Sequence, residues 1–177
     1  KYSNLKIGLV WKGNTQTTID KHIQLKYFKP LLDLNIHMIL LQKGDGEEEV
    51  DSVDYLDNEK LLRFEIDKDK KFEDTICILN NIDYLITVDT SIVHLAGVLN
   101  INTLLLLGKR TEWRWFNDVK SKWYKNVSII RENSFSKREE MIKYICEYLA
   151  NIDTNHKMKS IDILLCCQNI ILQNAAC

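Results

Sequence analysis

No stretch of about 18 apolar residues occurs in this sequence, so no segment is long enough to cross a bilayer as a helix. We also expect no secretory signal peptide, since no such pattern occurs in this sequence. The formal net charge of −1 gives no electrostatic reason to expect a nucleic acid or an anionic membrane as a partner. We therefore expect a cytoplasmic protein with no membrane span and no nucleic-acid partner. Peripheral association with a membrane stays open.

Several common catalytic and metal-binding signatures are missing as well. The chain contains no GxGxxG, GxxxxGK[ST], GxSxG or HExxH motif, which removes the enzyme classes that those motifs define. Its cysteines include no CxxC pair and no histidine partner at zinc spacing. We expect no metal site. The odd number of cysteines and the predicted burial of Cys77 and Cys146 favour reduced thiols.

What the sequence does contain is an alternation of short apolar runs and amphipathic segments. Hydrophobic residues make up 45% of the chain and charged residues 28%, as in soluble globular domains. Strands are predicted over 5–11, 36–42, 62–66, 84–88, 102–107 and 127–131, and helices over 25–34, 71–82, 92–99 and after a Ser136–Glu139 capping box. This alternation predicts an α/β fold with an open, mostly parallel Rossmann-like sheet and helices on both faces.

The domain organisation is predicted to be one domain over residues 1–150, followed by a tail. Residues 151–160 are polar, and 161–172 are mostly apolar but too short to cross a bilayer. This segment is either a helix that docks on a neighbouring surface or a poorly ordered extension. Because a core strand follows Lys1 almost at once, we expect that the N-terminal part of a longer protein precedes this chain.

The most informative stretch is Tyr84 to Gly97, which reads YLITVDTSIVHLAG. A buried strand is followed by Asp89, Thr90 and Ser91, which favour helix N-caps, and then by an apolar helix. This strand–turn–helix geometry points backbone N–H groups and the positive helix end at a ligand beyond the strand. His94 lies on the same helix face as Thr90 and could donate to the same ligand. The stretch therefore predicts a site for an anion such as phosphate.

Polar loops follow four of the predicted strands. They begin at Lys12-Gly13-Asn14, Gln42-Lys43-Gly44, Asp89-Thr90-Ser91 and Gly108. In open parallel sheets ligands bind outside the carboxyl ends of the strands, where all four loops would meet. A site made of these loops would suit a nucleotide, with Lys12 or Lys21 neutralising its phosphate charge.

Each of these residues also has a purely structural explanation. Asp89, Thr90 and Ser91 are also consistent with a simple helix cap. A lone histidine such as His94 is more often structural than a ligand. The tryptophans after Gly108, taken singly, favour packing over stacking on a ligand. Residue types alone therefore do not decide between a cap and a phosphate site.

The order and spacing of several motifs carry a resemblance. These motifs are Val10-Trp11-Lys12-Gly13-Asn14, Leu41-Gln42-Lys43-Gly44, Phe72-Glu73-Asp74-Thr75, the run from Val88 to Gly97, Trp113-Arg114-Trp115 and Trp123-Tyr124. Together they resemble the C-terminal half of bacterial glycosyltransferases of family nine, the ADP-heptose:lipopolysaccharide heptosyltransferase type. The likeness is greatest to the branch often fused to tetratricopeptide repeats, and it covers residues 5–149.

The resemblance implies one half of a GT-B fold, in which two Rossmann-like domains face each other across a cleft and the C-terminal one holds a nucleotide-sugar donor. By the match, the donor diphosphate would be held by Asp89, Thr90, Ser91, His94, Lys12, Gly13 and Lys21, and the nucleoside would lie near Gln42, Lys43, Gly44, Asp74 and Thr75. The family transfers sugar without a metal or other cofactor. Its general base comes from the N-terminal domain, so catalytic residues are not expected here.

The resemblance therefore implies the donor-binding half of a glycosyltransferase that acts on an acceptor hydroxyl of lipopolysaccharide or another surface glycan. Its partners would be a nucleotide-diphosphate sugar and the missing N-terminal half or repeat domain. The isolated chain would then lack turnover. The alternative is a non-catalytic remnant or interaction module of the same fold. A sugar-nucleotide epimerase of GT-B fold is a third possibility, but no catalytic carboxylate pair supports it.

Overall fold

The computed structural model describes residues 5–14, 21–56, 58–64, 66, 72–110 and 112–152. The strands are β1 Leu5–Val10, β2 Ile36–Leu40, β3 Leu61–Arg63, β4 Tyr84–Val88, β5 Thr103–Leu107 and β6 Val127–Arg131. The α-helices are α1 Glu73–Leu79, α2 Ser91–Val98 and α3 Arg138–Ala150. Shorter 3-10 helices span Leu25–Asp33, Glu47–Ser52, Trp113–Trp115 and Glu132–Ser134. The predicted apolar tail at 161–172 lies outside the described residues.

The six strands form one sheet in the order β3-β2-β1-β4-β5-β6, and every neighbouring pair is parallel. The chain moves outward from β1 to β2 and β3, and in the opposite direction from β4 to β5 and β6. The strand order therefore reverses between β1 and β4, and the carboxyl ends of all six strands lie at one edge. This confirms the predicted open Rossmann-like sheet and gives it a topological switch point.

Helices cover both faces of the sheet, as predicted. On one face, α3 buries Met141, Ile142, Ile145 and Leu149 together with the 3-10 helix Leu25–Asp33. On the other face, α1 buries Ile78 and Leu79, and α2 buries Val93 and Ala96. Because both faces are covered, the central strands are apolar throughout, and every residue of β5 is buried.

The segment predicted as a helix over 25–34 is a 3-10 helix with Pro30 in its interior, at the sixth of nine positions. Proline has no N–H to donate and disfavours an α-helical turn around it. Leu25, Phe28 and Leu31 are buried at three-residue spacing, which places them on one side of a helix with three residues per turn. The apolar spacing and the proline thus favour the same tighter helix.

The start of α3 differs from the predicted capping box. The N-cap is Lys137, which makes no side-chain cap, and the Ser136 hydroxyl does not cap the helix. Instead, the Ser136 N–H donates to Oε2 of Glu140 at 3.1 Å. The Ser136–Glu139 box is therefore wrong, because a carboxylate one residue further along binds the backbone from within the first turn.

The two cysteines of the described core differ from each other. Cys146 on α3 is a free thiol, and partial burial raises its pKa. Cys77 on α1 is disulfide-bonded. Both side chains are only half-buried, so the predicted burial of the two cysteines is wrong. The prediction of reduced thiols is correct for Cys146 and wrong for Cys77.

Candidate functional site

A cavity of about 660 Å³ opens at the carboxyl edge of the sheet, around the switch point between β1 and β4. Eleven of the predicted site residues line it: Lys12, Gly13, Lys21, Gln42, Lys43, Gly44, Asp74, Thr75, Asp89, Thr90 and Ser91. They come from the loops after β1, β2 and β4 and from the first turn of α1. The fold thus brings together residues that are up to 79 positions apart.

Apolar and polar side chains both line the cavity. Val10, Leu41, Ile66 and Phe72 contribute carbon-rich surface, and the buried Thr75 lines it from the start of α1. The loop after β1 and the turn after β4 contribute Lys12, Lys21, Asp89, Thr90 and Ser91, and we call this part of the lining the polar end. The loop after β2 and helix α1 add the charged side chains of Lys43, Asp45 and Asp74. A lining of this mixed kind suits a ligand with one flat, apolar part and one anionic part.

The turn after β4 forms one wall of the polar end. Thr90 is the N-cap of α2, and its Oγ1 accepts from the N–H of Ile92 at 3.3 Å. Ser91 begins the helix and is exposed to the cavity, so the positive end of the helix dipole lies at this wall. The capping explanation is therefore correct for Thr90. It does not compete with ligand binding, because the capped helix end also faces the cavity.

Asp89 is buried beside this turn, with 6% of its surface exposed. Its Oδ2 lies 3.2 Å from Nζ of Lys21. The two groups form an ion pair. Among the described residues, no group makes a hydrogen bond of good geometry to this Oδ2, so the attraction between the two charges is what holds the contact. Lys21 also lies 3.3 Å from Oε1 of Glu112. The Lys21 ammonium is thus shared between two carboxylates.

Lys12 is committed to a different pair of carboxylates. Its Nζ lies 2.8 Å from Oε1 of Glu48 and 3.6 Å from Oε1 of Glu49. The hydrogen bond with Glu48 is the main cause that raises the pKa of Lys12. Its ammonium is therefore neutralised locally, and it has less charge to offer a ligand than its place in the sequence indicates.

Gln42 ties the loops after β1 and β2 together. Its Oε1 accepts from the backbone N–H groups of Trp11 and Lys12, each at 3.0 Å. Its Nε2 donates to the carbonyls of Lys12 at 2.9 Å and Asp45 at 2.6 Å. These backbone contacts give Gln42 a structural role at the base of the cavity.

The loop after β1 folds back so that Lys21 lies opposite Gly13. The N–H of Gly13 donates to the carbonyl of Lys21 at 2.8 Å, and the N–H of Ile23 donates to the carbonyl of Trp11 at 2.9 Å. A Cβ on Gly13 would stand 3.2 Å from Cβ of Lys21. The absence of a side chain at Gly13 thus favours this close approach, which brings Lys21 to the cavity.

His94 is the one predicted site residue that does not line the cavity. Its ring stacks on the buried Trp115, with centroids 5.5 Å apart. Its Nδ1 lies 3.1 Å from the hydroxyl of Tyr124, and its Nε2 lies 3.4 Å from Nη1 of Arg114. Burial lowers the pKa of His94, and Arg114 and Lys21 add to this against the opposing effect of Asp89. These contacts are those of a neutral ring held by protein groups.

Sequence reasoning assigned no role to Glu112, Arg114 or Tyr124, which the structure places around Lys21 and His94. The available signal was the Trp113-Arg114-Trp115 and Trp123-Tyr124 pair of motifs. Of their aromatic residues, Trp115 is buried, whereas Trp113 is 74% and Trp123 is 56% exposed. The packing explanation is thus correct for Trp115 and does not account for the other two tryptophans.

Among the residues that the structure describes, no helix combines the length and the hydropathy of a membrane span. In the same residues, no group of three or more His, Cys, Asp or Glu side chains could hold a metal ion.

The comparisons with known proteins place the fold. No protein-family model and no curated protein matches this sequence. Among solved structures, the chain is similar to E. coli heptosyltransferase WaaC with ADP, with a TM-score of 0.60 and 15% identity over 84% of this chain and 44% of that one. It is also similar to E. coli ADP-heptose lps heptosyltransferase II, with a TM-score of 0.56 and 14% identity over 99% of this chain and 49% of that one.

The chain thus has a heptosyltransferase-like, Rossmann-like α/β fold and spans just under half the length of these structures. At 14–15% identity the likeness shows the fold alone. The function must therefore be argued from the cavity and its residues.

Proposed function

We propose that this chain is the donor-binding half of a glycosyltransferase and that its cavity holds a nucleotide-diphosphate sugar. The proposal includes membership of family nine, in the branch often fused to tetratricopeptide repeats, and an acceptor hydroxyl on lipopolysaccharide or another surface glycan. The missing partner is an N-terminal GT-B half that supplies the general base. The isolated chain would bind donor without turnover.

The single observation that carries the proposal is the cavity at the switch point. Its apolar lining residues suit a nucleobase, and its polar end contains the start of α2 and Lys21. A helix N-terminus and a nearby ammonium both favour an anionic group. The solved structure of the similar WaaC contains ADP, which is a ligand of this chemical class.

The chemistry that the chain itself supplies is charge stabilisation. In glycosyl transfer the diphosphate leaves with increased negative charge, and donors fixed in advance stabilise it most effectively. The α2 N-terminus, Lys21 and the hydroxyls of Thr90 and Ser91 lie together at the polar end. These residues would hold the leaving group without a metal ion.

The test is a calorimetric titration of the full 177-residue chain with ADP, UDP and GDP, with adenosine as the uncharged control. Ser91→Asp is the decisive variant. A carboxylate at the start of α2 favours the helix dipole, so the fold is retained, but it repels a diphosphate. We expect affinity for the best diphosphate to fall about tenfold, which corresponds to about 1.4 kcal/mol.

Ser136→Asp is the matched control, because Ser136 is exposed near the start of α3 and away from the cavity. It should leave binding unchanged. If no nucleoside diphosphate binds the wild-type chain, or if Ser91→Asp binds as well as Ser136→Asp does, the proposed site is wrong.

A non-catalytic interaction module is the second candidate, and one observation favours it. Trp113, Phe116, Val119 and Trp123 are exposed on the segment after β5. Several exposed apolar side chains close together in the sequence indicate a contact surface, whereas single exposed apolar residues are common on any protein. A chain that binds no nucleotide in the titration above would leave this candidate as the better account of the fold.

A further inference from the structure

Two cations meet at one carboxylate beside the polar end of the cavity. Oε1 of Glu112 lies 3.3 Å from Nζ of Lys21, and its Oε2 lies 3.7 Å from Nη2 of Arg114. The three residues come from the loops after β1 and β5, so the contact joins the cavity wall to the aromatic segment, which we define as residues 113–124. Glu112 therefore stands where Lys21 and Arg114 could jointly hold an anion.

Burial decides which of these groups is most easily displaced. The Lys21 side chain is 19% exposed and is held on its other side by buried Asp89 at 3.2 Å. The Glu112 side chain is 36% exposed, and ion pairs of such partly exposed groups contribute little to stability. Moving the Glu112 carboxylate into solvent is therefore easier than moving Lys21 away from Asp89.

Arg114 is held in place by His94. Arginine can only donate, so Nε2 of His94 accepts from Nη1 at 3.4 Å, and Nδ1 carries the proton toward the Tyr124 hydroxyl at 3.1 Å. The stack of His94 on Trp115 fixes the ring. His94 is thus a positioning residue for the guanidinium.

We propose that Lys21 and Arg114 form the cationic site for the distal phosphate of the diphosphate ligand and that Glu112 occupies this site in the free protein. The inference rests on the proposed function. A guanidinium offers a planar fork that matches phosphate oxygens, and Lys21 adds a point charge. With Glu112 and Asp89 both present, the four side chains sum to zero charge. Displacing Glu112 leaves a net positive site for the incoming anion.

The experiment measures affinity for two probes, ADP and inorganic pyrophosphate, by calorimetry on the full chain. Glu112→Gln removes the competing charge and should tighten the binding of both probes about fivefold. Arg114→Gln should weaken both about fivefold. Both effects should shrink as salt is added, because these groups are partly exposed. If Glu112 had only a structural role, Glu112→Gln would not tighten the binding of either probe.

The matched controls carry the same substitutions at exposed residues that do not line the cavity. Glu147→Gln lies on α3, and Arg63→Gln lies on the edge strand β3. Neither should change affinity more than about twofold.

The outcomes separate this inference from the proposed function. If ADP binds the wild-type chain but Glu112→Gln and Arg114→Gln behave like the controls, the cation pair is wrong and the donor site stands. If pyrophosphate responds as expected but ADP binds no more tightly than pyrophosphate, the cation pair stands and the nucleotide assignment is wrong. If neither probe binds the wild-type chain or Glu112→Gln, both are overturned.

Discussion

The phenol ring of Tyr124 packs directly on the Cα of Gly97, so that a Cβ on this glycine would stand 2.4 Å from Cγ of the ring. The hydroxyl of the same tyrosine lies 3.1 Å from Nδ1 of His94, one turn earlier on α2. The missing side chain at Gly97 therefore sets how closely the aromatic segment approaches α2. Through Tyr124 it also sets the position of the His94 ring.

Gly97→Ala should lower the free energy of unfolding by about 1–3 kcal/mol, because the added methyl group overpacks against the ring. Alanine is the better helix former by about 1 kcal/mol, so helix propensity alone predicts the opposite sign. Urea unfolding followed by tryptophan fluorescence measures the change. Val98→Ala, at a neighbouring position that is 75% exposed, is the control and should cost less than about 0.5 kcal/mol.

Repeating Gly97→Ala in a Tyr124→Ala background shows whether the loss of stability comes from contact with the tyrosine ring. If the methyl group acts through the ring, Gly97→Ala should cost much less when Tyr124 is already Ala. An equal cost in both backgrounds would show that the tyrosine is not what requires a glycine here.

Gln42→Ala should lower the free energy of unfolding by about 1–3 kcal/mol, because two partly buried backbone N–H groups, those of Trp11 and Lys12, lose their acceptor. The loops after β1 and β2 should then separate and weaken ligand binding. Gln24→Ala, at an exposed position, is the control. Gln42→Ala that unfolds like the control would mean that the side-chain amide does not hold these loops.

Most of the fold could be predicted because its signals are local. The buried strands are continuous apolar runs, and β4 and β6 have the predicted boundaries. β1 and β2 end earlier than predicted, because the chain continues past the last ladder hydrogen bond with apolar residues such as Trp11 and Leu41. β5 begins one residue later than predicted, and β3 spans Leu61–Arg63 rather than 62–66. The 3-10 helix at Leu25–Asp33 was less predictable, because its tightening depends on how an internal proline is accommodated.

From the sequence, the location of the site at one edge of the sheet could be predicted, but the contacts between its side chains could not. Parallel strands end at a shared edge, so loops such as those at Lys12 and Asp89 had to come together whatever their side chains do. The pairing of side chains across those loops carries no local signal. Lys21 and Glu112 are 91 positions apart, and Lys12 is paired with Glu48 rather than left free for a ligand. Ion pairs between loops are set by tertiary packing, which sequence spacing does not encode.

Protonation of His94 should make the free energy of unfolding depend on pH. Burial holds the pKa of this ring below its ordinary value of 6.5 in the folded chain. Between the folded-state pKa and 6.5 the unfolded chain therefore binds more protons, so stability is lost as pH falls through this window. Above 6.5 the contribution is fully present, and below the folded-state pKa it no longer changes.

NMR titration of the His94 ring protons, assigned by their absence in His94→Gln, checks this directly. The midpoint should lie below 6.5. Thermal unfolding from about pH 7.5 to about pH 5.5 should show a smaller loss of stability for His94→Gln than for the wild-type chain. A midpoint at or above the ordinary value would contradict the neutral ring and, with it, the role of His94 as acceptor for Arg114.

Tyr55→Phe tests the link between the 3-10 helix Leu25–Asp33 and the turn that follows the 3-10 helix Glu47–Ser52. Tyr55 is 6% exposed, burial raises its pKa, and its hydroxyl donates to the carbonyl of Leu25 at 2.7 Å. Removing the hydroxyl leaves that carbonyl without this donor, which should lower the free energy of unfolding by about 1–2 kcal/mol. Tyr144→Phe, at a position that is 47% exposed, should cost less than about 0.5 kcal/mol in the same urea titration. Equal midpoints for the two variants would show that water replaces the lost donor at Leu25.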